Sequence, residues 1–200
     1  MSLRRLLRAL PATTALALVL ATGCATTITP IDLHDPVVPV ASRRLIADGQ
    51  DAVSIARARR DDARRRLDQV DAWQWDIANT DTWPADANAK AALRKFASAR
   101  LSLARLEFDY ATANLDLAEA KYTLATAQTA IRHDLATYEL DPLRDAAEAA
   151  RTRVGTLKGE LQAKLRELDT VTAAWWQAYG AFAKAGGETR EFYTSFGQAR

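Results

Sequence analysis

The chain has 200 residues, with 27 lysines and arginines against 25 aspartates and glutamates, a formal net charge of +2. A balance this even gives no large single-sign field to hold nucleic acid or an anionic membrane surface. The chain has one cysteine, so no intrachain disulfide can form and packing alone must hold the fold.

The first residues have the layout of a secretory leader. Arg4, Arg5 and Arg8 give a basic start, and Leu10 to Ala21 is a mostly apolar core. Pro11, Thr13 and Thr14 interrupt that core, and it falls short of the about 20 apolar residues a membrane span needs. Leu20, Ala21, Thr22 and Gly23 then lead into Cys24. This run resembles the cleavage and lipidation box of bacterial lipoproteins, with a small residue directly before the cysteine. It departs from the family pattern in one place: the usual leucine three positions before the cysteine is Ala21 here, and Leu20 stands one step further out. The resemblance implies that residues 1–23 are removed as a signal peptide. Cys24 would then be the mature first residue and carry a covalent lipid, which anchors stably when two or more acyl chains contribute about 0.8 kcal/mol per methylene. Ala25 stands where the family's inner-membrane retention signal has Asp, which implies the periplasmic face of an outer membrane in a cell that has one. Loss of Arg4, Arg5 and Arg8 would leave 24 basic and 25 acidic residues, a mature charge of −1.

Residues 24–41 read as the lipidated end and a linker. Pro30, Pro36 and Pro39 each lack a backbone donor and restrict the residue before them, so no continuous helix fits. His34 lies in this linker and is expected exposed and without a role.

Helical periodicity follows. A first helix is predicted from near Ser42 to near Asn79, with Ile46, Val53, Arg60, Leu67 and Gln74 in one row and Gly49, Ala56, Ala63, Val70 and Ile77 in the other. A break follows around Trp83-Pro84. A second helix is predicted from about Asp86 to Tyr138. One of its rows is Ala89, Phe96, Leu103, Tyr110, Leu117, Leu124, Ile131 and Tyr138, beside a mostly small row from Ala92 to Asp134, a pattern that suits close helix packing. A second stripe, Leu101, Phe108, Leu115 and Tyr122, repeats every seven residues and carries Ala104, Ala111, Ala118 and Ala125 beside it. The two stripes lie roughly 150° apart by the 3.6-residue turn. A helix with two such faces must be covered twice, which makes it the middle element. Asp141-Pro142 marks the next break, Asp141 as a cap and Pro142 in the first helical position. A third helix runs to about Ala185 and stops at Gly186-Gly187. The tail, 186–200, holds Phe192, Tyr193 and Phe196.

Two constellations stand out. The run Arg57, Arg59, Arg60, Asp61, Asp62, Arg64, Arg65 and Arg66 reads as a solvated helix face, with Asp61–Arg65 and Asp62–Arg66 at the favourable i,i+4 spacing. Up-down-up topology gathers Trp73, Trp75, Trp83, Trp175 and Trp176 at the end distal from Cys24. There they either close the core or form a partner-binding tip. Adjacent Trp175 and Trp176 cannot share one helix face, so one of them is left for another surface. His133 reads as a surface residue. No HExxH, GxSxG, Walker-type or Gly-rich dinucleotide motif occurs, and neither catalysis, a metal, a cofactor beyond the lipid, nor a small-molecule substrate is expected.

The expected fold is all-α: an elongated antiparallel three-helix coiled-coil bundle over residues 42–185. The expected function is that of a non-enzymatic, lipid-anchored envelope protein acting as a structural or protein-interaction module, with a protein partner or a second copy. Two alternatives remain. Residues Ala113 to Tyr122 resemble in composition the helices of TolC-type efflux ducts and their periplasmic adaptors, which would imply a transport assembly. Coiled arms could instead clasp clients as a periplasmic holdase. Exposure of Leu101, Phe108, Leu115 and Tyr122 would favour an oligomer, and their burial within one chain a rod or holdase.

Overall fold

A computed structural model describes residues 28–32, 34–79 and 84–188, all as helix, turn or coil. Three helices follow in order: α1, Val40–Asn79; α2, Ala87–Arg132; and α3, Asp141–Lys184. At 1.5 Å per residue they are about 60, 69 and 66 Å long. Cross-helix pairs fix the directions. Ser42 meets His133, Arg57 meets Glu119 and Asp71 meets Arg105, so α1 and α2 run antiparallel. Asp116 meets Arg153, and Leu103 packs with Leu168, so α2 and α3 do too.

α2 is the middle helix, as its two stripes require. Both α1 and α3 lie against it, and among the described residues no Cα of α1 comes within 8 Å of one in α3. Leu101 and Ala104 of one stripe pack against Leu67 and Val70 of α1. Phe96, Ala99 and Leu103 of the other pack against Leu161, Leu168 and Val171 of α3. The two seams are separate along the middle of α2. They join at the end distal from residue 28, where Ala89 and Leu93 of α2 and Trp175 and Phe182 of α3 form one cluster with Ile77 of α1 against it.

The helix ends follow from local chemistry. Asp86 caps α2, its carboxylate accepting from the Ala89 amide at 2.8 Å. Asp86→Ala is expected to cost about 0.5–2 kcal/mol, read as a lowered urea midpoint at unchanged slope. α3 stops in a Schellman arrangement. Gly186 has φ 85°, its amide donates to the Ala183 carbonyl, and the Gly187 amide donates to that of Phe182.

Four expectations need correction. α2 ends at Arg132, so Asp134 and Tyr138 are not part of its rows. Asp134 takes φ 54°, its amide donates to the Ile131 carbonyl, and the Leu135 amide donates to that of Ala130. Those bonds satisfy the last carbonyls of the helix and turn the chain. Asp141 does not cap α3: the cap position is Leu140, without a side-chain bond, and Asp141 is instead the first helical residue, paired with Arg144. The linker is partly folded. Asp32 and Asp35 accept from the His34 and Val37 amides, Val38 is fully buried, and the Thr29 amide donates to the Tyr138 hydroxyl. His133 is half-buried rather than a surface residue, and its Nε2 shares a 3.1 Å hydrogen bond with the buried Ser42 Oγ.

Candidate interaction surfaces

The lipidation box (Leu20, Ala21, Thr22, Gly23 and Cys24), Trp83 and the tail aromatics Phe192, Tyr193 and Phe196 lie outside the described residues. The remaining aromatics divide between core and surface. Trp73 is buried and meets Phe96 edge-on, with ring centroids 5.9 Å apart. Trp175 is 0% exposed at the centre of the three-helix cluster. Its neighbour Trp176 is 49% exposed, because consecutive helical residues point about 100° apart. Tyr179 touches both, at 5.4 Å from Trp175 and 6.0 Å from Trp176. Trp75 is 65% exposed. The aromatic end is therefore a closing core, and two of its indoles are left on the outside.

The stripe Leu101, Phe108, Leu115 and Tyr122 is covered by α1 of the same chain. Leu101 and Leu115 are buried, and Phe108 lies under the Arg64 guanidinium, 5.6 Å from its ring centre. Tyr122 faces Gly49 across the seam: a Cβ at Gly49 would stand 3.0 Å from the Tyr122 Cδ2. The missing side chain lets the two helices approach here. Gln50 Nε2 donates to the Tyr122 hydroxyl at 3.2 Å. The stripe is thus occupied by intrachain packing.

The charge run is solvated. Arg57 pairs with Glu119, Arg60 with Asp61 and Arg64 with Asp68, while Arg65 and Arg66 both pair with Asp62. The expected Asp62–Arg66 pair forms; Asp61–Arg65 does not, since Asp61 is held by Arg60 and Arg65 turns to Asp62. Exposed pairs of this kind contribute about 0–1 kcal/mol each.

One surface has no counterpart in the sequence reading. An open groove of about 870 Å³ runs between α1 and α2. Its α1 wall includes Leu45, Ala52, Ile55 and Ala63; its α2 wall includes Tyr110, Ala111, Leu117 and Ala118. Leu45 and Ile55 are 51% and 53% exposed. Asp48, Arg59, Arg66, Glu107 and Lys121 are its charged members. Small residues such as Ala52, Ala111 and Ala118 line it and leave the space between α1 and α2 unfilled, whereas Leu93 and Trp175 fill the distal end. No group of three His, Cys, Asp or Glu that could hold a metal occurs among the described residues. No helix among them is long and apolar enough to cross a membrane.

Set against protein-family models, curated proteins and solved structures, the chain matches none. The chain is an all-α protein, with three helices among the described residues and an open groove walled largely by apolar side chains.

Proposed function

We propose that the chain is a non-enzymatic, lipid-anchored envelope protein that presents a rigid helical rod to protein partners. The observation that carries the interaction half of this reading is the groove between α1 and α2, apolar along its walls and open to solvent, together with exposed Trp75 and Trp176. Large apolar side chains left outside a packed core are typical of surfaces that meet another protein. The anchor half rests on the resemblance around Cys24. Only 15 residues separate Cys24 from Val40, where α1 begins, so an acylated cysteine would hold the near end of the rod close to the membrane and send the Trp75 end outward.

Metabolic labelling with radioactive palmitate tests the anchor. The natural chain is expected to take up label and to fractionate with membranes, and Cys24→Ser to lose both. Equal labelling of the two chains, or recovery of the natural chain unacylated from the cytosol, would sink the anchor. Photocrosslinking from positions 75 and 176 in intact cells tests the interaction half. Adducts with other envelope proteins are expected, and a consistent absence of adducts at both positions counts against it.

The transport alternative keeps one supporting feature, a helix packed on both sides. Its oligomer-forming stripe, however, is covered within a single chain. The holdase alternative would need client proteins in the groove, and the same crosslinking separates it by yielding many unrelated adducts instead of a few.

A further inference from the structure

The groove carries charges whose order along the helices is self-complementary, and this identifies one occupant. Asp48 lies toward the α1 N-terminus and Arg66 toward the other end of the groove. On α2, Lys121 lies at the Asp48 end and Glu107 at the Arg66 end. Asp48 and Arg66 are symmetric about position 57, and Glu107 and Lys121 about position 114. These two centres sit at one level, since Gly49 faces Tyr122 across the antiparallel seam and 57 and 114 follow in the same register. A two-fold axis through that level, perpendicular to the helices, lays a second copy antiparallel on the groove. It then brings Asp48 opposite Arg66 and Lys121 opposite Glu107, each pair formed twice. Asp48, Glu107 and Lys121 have no ion-pair partner among the described residues, so these charges are available. Arg66 already holds Asp62 and would share its guanidinium.

We propose that this groove is the interface of an antiparallel homodimer, with Ile55 and Leu117 of each copy filling the space that alanines such as Ala111 leave in the other. Residues 48 to 66, the stretch that a two-fold at position 57 maps onto itself, span about 27 Å, and two helices side by side are about 20 Å wide, so roughly 1,100 Å² would be buried in total, in the range of weak, transient interfaces. The dimer is accordingly expected to exchange with monomer rather than to be obligate. Arg59, also without an ion-pair partner among the described residues, lies close to the axis and would approach its own copy. It is the repulsive element of the pairing. The inference deepens the interaction reading by naming one partner, and does not depend on acylation of Cys24.

The test is the charge swap, read by native mass spectrometry and sedimentation of the full-length chain in detergent. The natural chain is expected to show a monomer–dimer equilibrium. Lys121→Glu and Glu107→Lys are each expected to weaken it roughly tenfold, because each reversal places like charges together at two symmetric points. The double variant is expected to restore it, and Arg59→Gln to tighten it. Circular dichroism checks that the variants keep their helix content. In a Cys24→Ser background, Asn114→Cys, at the axis, is expected to oxidise to a covalent dimer, whereas Glu160→Cys on α3 is not. A chain that stays monomeric overturns the proposal. Its own residues 189–200 would then be the occupant if they crosslink to the groove, and an amphiphile if the Cys24→Ser monomer carries lipid mass that is lost on denaturation. A dimer indifferent to single swaps, or not rescued by the double, also overturns it. Loss of the palmitate label would remove the anchor and leave this dimer intact, so the two readings fail separately.

Discussion

Trp175→Ala is expected to remove about 3–5 kcal/mol of folding stability, the usual cost of emptying a large aromatic site in a core. The indole has no solvent exposure and sits where all three helices contribute to one cluster, with Leu93, Phe182 and Ile77 around it. Elsewhere the two seams are separate, so relaxation of a neighbouring helix can fill little of the space left behind. Domains of this kind keep about 5–15 kcal/mol in all, so the loss is a large share of the total. Trp176→Ala, one residue on, removes a half-exposed ring that meets Tyr179 edge-on, and is expected to cost under about 1 kcal/mol. Urea unfolding followed by far-ultraviolet circular dichroism separates them: a midpoint drop large for the first and small for the second. Equal drops would mean that the aromatic end is not the closed core it is taken to be.

The same pair of tryptophans shows how far the sequence could be read. Helical geometry alone says that adjacent residues diverge, and so that one of the two must leave the core; which one leaves depends on the angle at which α3 meets α2, and that is a tertiary fact. The sandwiched position of α2 was legible for a similar reason. Leu101, Phe108, Leu115 and Tyr122 repeat on one face, Phe96, Leu103 and Tyr110 on another, and each set needs a cover. The end of α2 was hidden because its periodic rows continue through Asp134 and Tyr138, while the stop is made by an aspartate in the left-handed region at a place where glycine is the usual signal. The groove was hidden for the opposite reason. Small residues such as Ala111 and Ala118 look like close-packing positions in a heptad, and only the placement of α1 against α2 shows that they line open space. Lipidation at Cys24 was read from a local motif and owes nothing to the fold.

Separate seams have a consequence for cooperativity, and Leu101→Asp exposes it. Leu101 is buried between α2 and α1 beside Val70, Ala104 and Leu67, with no α3 residue in that cluster. The variant removes the apolar contact and leaves a carboxylate beside the seam, where the neighbouring cation, Arg105 one turn on, already pairs with Asp71. Loss of a large buried aliphatic alone costs about 2–5 kcal/mol, and the desolvated charge adds to it. The damage is expected to fall unequally. α3 holds α2 through Ala99, Leu103 and Leu168, a different set of residues on a different face. Hydrogen exchange should therefore speed up strongly across Val40–Asn79 and much less across Asp141–Lys184. Leu168→Asp is expected to do the reverse, loosening α3 and sparing α1. The shared cluster at the distal end sets the limit of that independence, since Trp175, Leu93 and Ile77 tie the three helices together there. Protection near Ile77 should accordingly outlast protection near Ile46 in the Leu101 variant. Equal acceleration of α1 and α3 in both variants would show instead that the two seams melt as one unit, and that α2 transmits the loss of either neighbour to the other.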